Sequence, residues 1–376
     1  MKKDVFHKYI GVNVPVTACN LRCHYCYVGH LNDQDKGTLP KFEYTPEQVA
    51  GALNQKRMGG VCLVSFTGAG ETLLPKEIPS YIKSLLNEGH FVMVVTNMVL
   101  DKRIDEILTL PHEHLERLFF KCSFHYLELK ERKLLDVFCD NVAKARAAGA
   151  SVSIEITPCD ELIPFIDEVR QFSLNKFGAL PHLTIARDER ERDNVNLPRL
   201  TGLSYPEYMK IWGEFDSELF RFKNSIWNVK IRDFCYAGKW THYLNLVTGD
   251  VRKCYLTEIN QNIFRDISEP LVESPVCTEC TEPHCYNGHA FLVFGVCPSI
   301  QAPTHTEVRD RECIDGSHWL SPRMRAFFDQ KLYDNNPEYN DQEKAKLIKM
   351  RRGSLKSKIR RKLKSAYHRI KKWFSH

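Results

Sequence analysis

Short apolar runs alternate with amphipathic segments over the first half of the chain. The runs are rich in Val, Ile and Phe and mostly free of charge, which is typical of strands buried on both faces of a sheet. They predict six strands, at Tyr9–Val16, Val61–Phe66, Phe91–Thr96, Leu118–Phe124, Ser151–Thr157 and His182–Ala186. Because helical patterns separate these runs, the order predicts an α/β fold with a parallel sheet.

The segments between the strands carry helix signals. Thr45 and Pro46 are typical of an N-cap and a first helical position, and Gly59 is typical of a helix end. The pattern predicts helices at Val49–Met58, Lys76–Asn87, Asp101–Leu110, Leu127–Ala148, Asp160–Asn175 and Tyr205–Phe220, the last with Ser204 as its N-cap. Periodicity does not say whether such a sheet curls into a barrel.

Three cysteines follow the first predicted strand in one short loop. Cys19, Cys23 and Cys26 have C-x3-C-x2-C spacing. Three thiolates on one loop can hold three irons of a 4Fe–4S cube and leave the fourth iron open. A zinc site would need a fourth protein ligand near by, and on the residues alone a zinc knuckle or three buried free cysteines are the alternatives.

The turn after the second predicted strand, Gly68–Glu71, combines two glycines with a carboxylate. Glycines allow the backbone to approach a ligand closely, and the carboxylate could pair with an ammonium group. A plain glycine-rich turn is the alternative. Asn97 and Ser123 lie at the ends of the next two strands, where sites form in parallel sheets.

The cysteine spacing, with the aromatic Tyr25 before the last cysteine, resembles the radical S-adenosylmethionine (SAM) enzymes. The turn resembles that family's Gly-Gly-Glu-Pro motif, although Ala69 replaces a glycine and Thr72 replaces the proline. The resemblance implies a partial (β/α)6 barrel, a 4Fe–4S cluster on the three cysteines, and SAM as cofactor. It assigns SAM contacts to Tyr25, Gly68, Ala69, Gly70, Glu71, Asn97 and Ser123, with His125 and Glu155 as candidate catalytic residues.

A second group of cysteines begins after residue 232. Thr248–Asp250 lies between two apolar runs and predicts a β-hairpin turn that brings Cys235 and Cys254 near one metal centre. The spacing resembles the opening of the SPASM/twitch extensions of radical SAM enzymes. That resemblance implies one auxiliary iron–sulfur cluster, on Cys235, Cys254 and two of Cys277, Cys280 and Cys285. A zinc ribbon is the alternative, and Cys297 and Cys313 are left unassigned.

Charge is unevenly distributed along the chain. The net charge is +6, yet residues 344–376 hold fourteen Lys and Arg and no acidic residue. Apolar residues recur there every three or four positions and end in Trp373 and Phe374, which predicts a basic amphipathic helix suited to an anionic membrane surface. Docking on a partner or on the chain's own domain is an alternative. Nucleic acid is disfavoured, since no base-stacking or groove-reading motif accompanies the helix.

The chain contains fourteen cysteines, and its N-terminus lacks the apolar region of a secretory signal. We therefore expect a cytoplasmic protein, held at the inner face of the membrane by residues 354–376. In that compartment clustered cysteines bind metal more often than they form disulfides. The scattered cysteines sit in apolar or helical contexts and are expected to be small buried hydrophobes. They are Cys62, Cys122, Cys139 and Cys159.

The resemblance implies reductive cleavage of SAM to a 5′-deoxyadenosyl radical, which abstracts hydrogen from a peptide, protein or carbohydrate-type substrate, with flavodoxin or ferredoxin as reductant. A metal-binding structural or adaptor protein with a basic contact surface is the alternative. The predicted organisation has four parts: a core barrel at 1–187, a helical connection at 188–232, a small cysteine-rich α+β domain with the SPASM/twitch-like pattern at 233–320, and a helical basic tail at 321–376.

Overall fold

A single mixed sheet forms the centre of the molecule. The computed structural model describes residues 4–30, 37–191, 195–254, 257–278 and 280–352. The sheet has nine strands in the order β6-β5-β4-β3-β2-β1-β7-β8-β9. The strands are β1 (Phe6–Val14), β2 (Val61–Gly68), β3 (Phe91–Thr96), β4 (Leu118–Ser123), β5 (Ser151–Ile156), β6 (His182–Leu183), β7 (Thr241–Asn245), β8 (Asp250–Arg252) and β9 (Ile259–Asn262).

The helices of the first half mostly lie between successive strands along the chain, and the remaining helices follow β6. They are α1 (Tyr27–His30), α2 (Pro46–Ala52), α3 (Gln55–Met58), α4 (Ile78–Asn87), α5 (Asp101–Leu108), α6 (His112–Leu115), α7 (Tyr126–Glu131), α8 (Leu135–Ala147), α9 (Ile166–Phe177), α10 (Tyr205–Gly213), α11 (Glu218–Ser225), α12 (His305–Arg309), α13 (Pro322–Phe328) and α14 (Leu332–Asn335).

The six predicted strands are present as β1–β6, and each pairs in parallel with its neighbour. This arrangement confirms the α/β fold and the partial barrel. The hairpin predicted at Thr248–Asp250 is also present, because β7 and β8 pair antiparallel. β7 pairs in parallel with β1, so the hairpin extends the barrel sheet.

Three predicted helices are each interrupted by a local signal that the spacing of apolar residues alone does not show. Asn54 caps α3 by accepting a hydrogen bond from the Arg57 backbone N–H at 2.9 Å, which separates α3 from α2. Lys133 adopts a positive φ of 57° between α7 and α8. Ser217 caps α11, which therefore starts afresh after α10. The segment predicted as a helix from Asp160 begins with a 3-10 turn.

Alternation along the strands gives the sheet two different faces. In β1, Ile10, Val12 and Val14 belong to the core that packs against the helices. Tyr9 lies on the other, concave face and joins a second core. Since successive side chains of a strand point to opposite faces, the same alternation in β2–β5 gives the barrel an interior of its own.

The lower part of that interior is filled by aromatic rings. Phe91 stacks on Phe327 with ring centroids 3.7 Å apart, and Tyr9 lies 5.6 Å from Phe294. The second core thus consists of strand residues and side chains from the C-terminal half of the chain. Further along the strands the inward side chains become small or polar, as with Gly11, Ser65 and Lys121. The interior therefore stays open toward the C-terminal strand ends.

None of the fourteen cysteines, all of which lie among the described residues, forms a disulfide. Cys62, Cys122, Cys139 and Cys159 are buried in the core, as predicted. Within the described ranges no helix is long and apolar enough to cross a membrane. The basic helix predicted for residues 354–376 lies outside the described residues.

Candidate active site

One cavity of about 390 Å³ opens at the C-terminal ends of the parallel strands. It brings together residues that the sequence placed on separate loops and strands. The predicted residues that line it are Cys19, Cys23, Tyr25, Cys26, Gly68, Ala69, Gly70, Glu71, Asn97, Ser123, His125 and Glu155.

Backbone contacts join the cysteine-bearing loop to the turn after β2. The Gly70 N–H donates to the Val16 carbonyl at 2.8 Å, and the Glu71 N–H donates to the Ala18 carbonyl at 2.9 Å. A Cβ at Gly70 would lie 1.9 Å from the Ala18 carbonyl oxygen. The close approach that Gly70 permits is therefore to the cysteine loop, which explains why this position carries no side chain.

Glu71 is buried beneath the cavity and is held by three neutral donors. Its carboxylate accepts hydrogen bonds from Thr96 Oγ1 at 2.7 Å, the Asn97 N–H at 2.8 Å and the Leu73 N–H at 3.0 Å. Burial raises the pKa of Glu71, although these hydrogen bonds oppose the shift. No cation pairs with it among the described residues, so the carboxylate can still attract a positively charged ligand group.

Two side-chain contacts fix the cysteine loop against β3 and β4. Asn97 Nδ2 donates to Asn20 Oδ1 at 2.7 Å, directly after Cys19. The Tyr25 hydroxyl lies 2.7 Å from His125 Nδ1. Burial lowers the pKa of His125 to about 4, so this imidazole is neutral near pH 7. These contacts give both His125 and Asn97 a role in positioning the loop.

The thiols of the loop suit an iron–sulfur cluster in their chemistry. All three are half-buried and line the same cavity. Burial is the main cause that raises the pKa values of Cys19 and Cys23, and neighbouring acidic groups and thiols add to it. Thiols in such a site ionise when a metal binds, and cysteine thiolates are the usual ligands of 4Fe–4S clusters.

The opposite end of the cavity carries a different buried acid. Glu155 on β5 pairs with Arg309 at the end of α12 and with Lys121 on β4, whose Nζ lies 3.2 Å away. Burial raises the pKa of Glu155, but Arg309 and Lys121 outweigh it and the net shift is downward. Glu155 is thus ionised near pH 7 and engaged by two cations, an arrangement that does not favour a general base.

Two further cations lie near this ion cluster. Lys223 on α11 donates to Thr184 Oγ1, and the Arg187 guanidinium packs 3.8 Å from the centroid of the Tyr27 ring. Lys121, Arg187, Lys223 and Arg309 all line the cavity, and we call them the cationic half.

No sequence pattern predicted a role for these four residues. Lys121 offered a signal, because a charge in the middle of an apolar strand needs a reason. The other three offered none, since only the fold brings α11, α12 and the end of β6 together.

The second cysteine group lies behind the wall of the same cavity. Cys285 lines the cavity, and burial raises its pKa, with Cys254, Cys235 and Cys280 as the next causes. The thiols of Cys235 and Cys297 are also close enough to shift each other's pKa, downward for Cys235 and upward for Cys297. The fold therefore gathers Cys235, Cys254, Cys280, Cys285 and Cys297.

Two other cysteines of the C-terminal half are engaged differently. Cys277 shares an antiparallel backbone bridge with Cys235, while its thiol donates to the Pro275 carbonyl at 3.6 Å. Cys313 lies against the end of α9, where its thiol donates to the Phe177 carbonyl at 3.4 Å.

Comparisons with known proteins agree with this geometry. Residues 13–158 match the family model of the Radical SAM superfamily. No curated protein sequence matches the chain. The solved structure of native anSMEcpe with bound AdoMet and Cp18Cys peptide is similar, with a TM-score of 0.50 and 12% identity over 91% of this chain and 98% of that chain.

SuiB from Streptococcus suis bound to S-adenosylmethionine aligns with a TM-score of 0.44 and 15% identity over 71% of this chain. The alignment spans 65% of the SuiB chain. At these identities the structural similarity concerns the fold. The family match covers residues 13–158, which carry Cys19, Cys23 and Cys26.

Proposed function

We propose that the chain is a radical SAM enzyme whose 4Fe–4S cluster is held by Cys19, Cys23 and Cys26. One observation carries the proposal: the cysteine loop, Glu71 and Asn97 are hydrogen-bonded into one wall of a cavity within the matched domain. When bound and reduced, such a cluster supplies the electron that cleaves the sulfonium C–S bond of SAM. The 5′-deoxyadenosyl radical then abstracts hydrogen from the substrate.

The chain's own residues would position the cofactor. Glu71 offers a buried carboxylate with only neutral donors around it, which suits the methionyl ammonium of SAM. Ser123 lines the cavity at the end of β4 and is proposed to contact the SAM carboxylate. Asn97 and the Tyr25–His125 pair hold the loop in place beside them.

An auxiliary iron–sulfur cluster is proposed on Cys235, Cys254, Cys280 and Cys285. The proximity of these thiols and the position of Cys285 in the cavity wall support it. A centre there would lie beside the cavity, because Cys285 lines it, and could accept an electron from the substrate. Cys297, whose thiol lies close enough to Cys235 to influence its pKa, is an additional candidate ligand. This part of the proposal is independent of SAM binding.

Anaerobic reconstitution with iron and sulfide tests the core of the proposal. We expect the reconstituted protein, given SAM and dithionite, to release 5′-deoxyadenosine, measured by liquid chromatography and mass spectrometry. The triple variant C19A/C23A/C26A should release none. Cys139→Ala, which removes a thiol from α8 outside the cavity lining, is the matched control and should retain the activity.

Failure to cleave SAM with a reducible cluster in place would overturn the enzyme proposal and leave a metal-binding adaptor. Iron content separates the two centres. The triple variant should keep about four irons per chain if the auxiliary cluster is of the 4Fe–4S type. Adding Cys235→Ala should then remove them, and a triple variant without iron would contradict the auxiliary site.

The reductant, the substrate and the cellular location belong to the same proposal. We propose flavodoxin or ferredoxin as reductant, a peptide, protein or carbohydrate-type substrate, and contact of residues 354–376 with anionic membrane. Flotation with liposomes of anionic phospholipid tests the last point. Equal recovery of the full chain and of a chain ending at residue 353 would contradict it.

A further inference from the structure

The order of the strands separates two functional groups along the cavity. The cysteine loop follows β1, the Gly68–Glu71 turn follows β2, and Asn97 follows β3. The cationic half lies around β4, β5, β6, α11 and α12. The contacts proposed for the cofactor on the loops after β1, β2 and β3 therefore lie apart from Lys223 and Arg309, and β4 carries both Ser123 and Lys121 between them.

Charges in the cationic half do not balance. Glu155 is shared by Lys121 and Arg309, and Arg187 pairs with Glu189 at 2.9 Å. Lys223 is different: its ammonium donates to the neutral hydroxyl of Thr184, and no described carboxylate lies within ion-pair distance of it. Glu155 is thus the one described carboxylate paired with Lys121 and Arg309, and the ammonium of Lys223 beside them has donor capacity left toward the cavity.

An ammonium group surrounded by protein atoms and other cations is electrostatically unfavourable. Burial, followed by repulsion from Lys121, lowers the pKa of Lys223 to about 7. An anion in the cavity would offset both effects, because it supplies the missing counter-charge and fills the free donors of the lysine. Lys121 and Arg309 are close enough to Lys223 to add to the attraction.

SAM does not account for this charge. Its sulfonium and ammonium groups are both cationic, so the cationic half repels those parts of the cofactor. The SAM carboxylate already has a proposed partner in Ser123, which lies two residues from Lys121 on β4, whereas Lys223 lies on α11. A second molecule is therefore the better match for the positive end of the cavity.

We infer that the cationic half binds an anionic group of the substrate, a carboxylate or a phosphate or sulfate ester, with Lys223 as its direct contact. Glu155 is then a positioning residue that holds Lys121 and Arg309 in the wall. This inference rests on the proposed function only in naming the bound molecule the substrate. The anion site itself follows from the charges of the cationic half and their positions in the cavity wall.

Calorimetric titration with two simple probes tests the site. Sulfate stands for a tetrahedral ester and acetate for a carboxylate, each added to reconstituted protein at constant ionic strength in chloride. We expect one of the two to bind with a stoichiometry of one. Lys223→Gln should weaken that binding at least tenfold, whereas Lys223→Arg should retain it because the charge is kept.

Lys210→Gln is the matched control, since Lys210 lies exposed on the neighbouring helix α10, outside the cavity lining. It should bind the probe like the unaltered protein. Equal affinity in Lys223→Gln and Lys210→Gln, with both variants folded by circular dichroism, would overturn the inference. Binding of neither probe by the unaltered protein would overturn it as well.

The result is separable from that of the proposed function. SAM cleavage is measured on the same protein without any anion. Cleavage with no anion site would refute only the present inference. A Lys223-dependent anion site in a protein that cannot cleave SAM would refute only the radical SAM proposal.

Discussion

Glu71 and Glu155 are two buried carboxylates in one cavity, and their surroundings shift their pKa values in opposite directions. Glu71 accepts hydrogen bonds from neutral donors only, and burial raises its pKa. Glu155 faces Arg309 and Lys121, which lower its pKa despite burial. The same residue type is therefore open to a cationic ligand at one end and neutralised by the protein at the other.

This difference indicates how one cavity can serve two molecules. The Glu71 end has a negative group and no protein cation beside it, which suits the ammonium of a cofactor. The Glu155 end has more cations than carboxylates, which suits an anion. Complementary charges at the two ends would keep each molecule in its own place, because exchanging them would bring like charges together.

The largest effect is expected from Glu155→Gln. The substitution leaves Arg309, which is 1% exposed, and Lys121 without a counter-ion. Removing one partner of a buried ion pair costs about 3–5 kcal/mol of unfolding free energy. Urea denaturation measures it. Asp105→Asn is the control, because Asp105 forms an exposed pair with Lys144, and it should unfold like the parent. Similar urea midpoints for the two variants would contradict the expected difference between the buried and the exposed ion pair.

Gly70→Ala tests whether the Glu71 end of the cavity is positioned by backbone packing against the cysteine loop. Its new Cβ would meet the Ala18 carbonyl oxygen, so we expect a loss of about 3 kcal/mol, the upper range for overpacking, and poorer iron incorporation. Gly51→Ala is the control. It lies within α2 with nothing near its Cβ position, and should stabilise the fold by about 0.5–1 kcal/mol. Equal stabilities of the two variants would show that the close contact between Gly70 and the Ala18 carbonyl is not required.

Glu71→Gln should weaken SAM binding about tenfold, or about 1.4 kcal/mol, because the charge opposite the ammonium is lost. Calorimetry with SAM on the reconstituted protein measures the affinity. Sulfate or acetate affinity should remain at the parent level in this variant. A loss of anion binding that matches the loss of SAM binding would mean that the two ends are not separate.

The pH dependence of anion binding is expected to be the smallest effect. Lys223, with a pKa of about 7, is charged below that pH and neutral above it, so sulfate affinity should fall as pH rises, by at most about fourfold between pH 6.0 and 7.5. The charged or titratable groups around Lys223 are Lys121, Glu155, Arg187, His289 and Arg309.

Sulfate itself does not titrate in this range. Lys223→Arg should flatten the profile, since arginine stays protonated. A profile of the same slope in that variant would assign the titration to another group.

Local patterns predicted the sheet and the cysteine loop well. Phe91–Thr96 is a strand with the predicted bounds, and β1–β6 occur in the predicted order, because apolar runs between helix signals leave few other topologies. The helices were predicted less well where capping residues such as Asn54 and Ser217 restart a helix inside a continuous apolar pattern. Hydrophobic periodicity does not register such a restart.

The sequence by itself determined the parallel strands, the three-cysteine loop and the carboxylate in the turn after β2, because each depends on spacing within a few residues. The tertiary structure alone decided that Arg309 pairs with Glu155 close to Lys223, and that Cys297 lies beside Cys235. These contacts connect residues far apart in the chain. Their charges interact strongly only when the fold buries them together, because the attraction between opposite charges is stronger in the protein interior than at the surface.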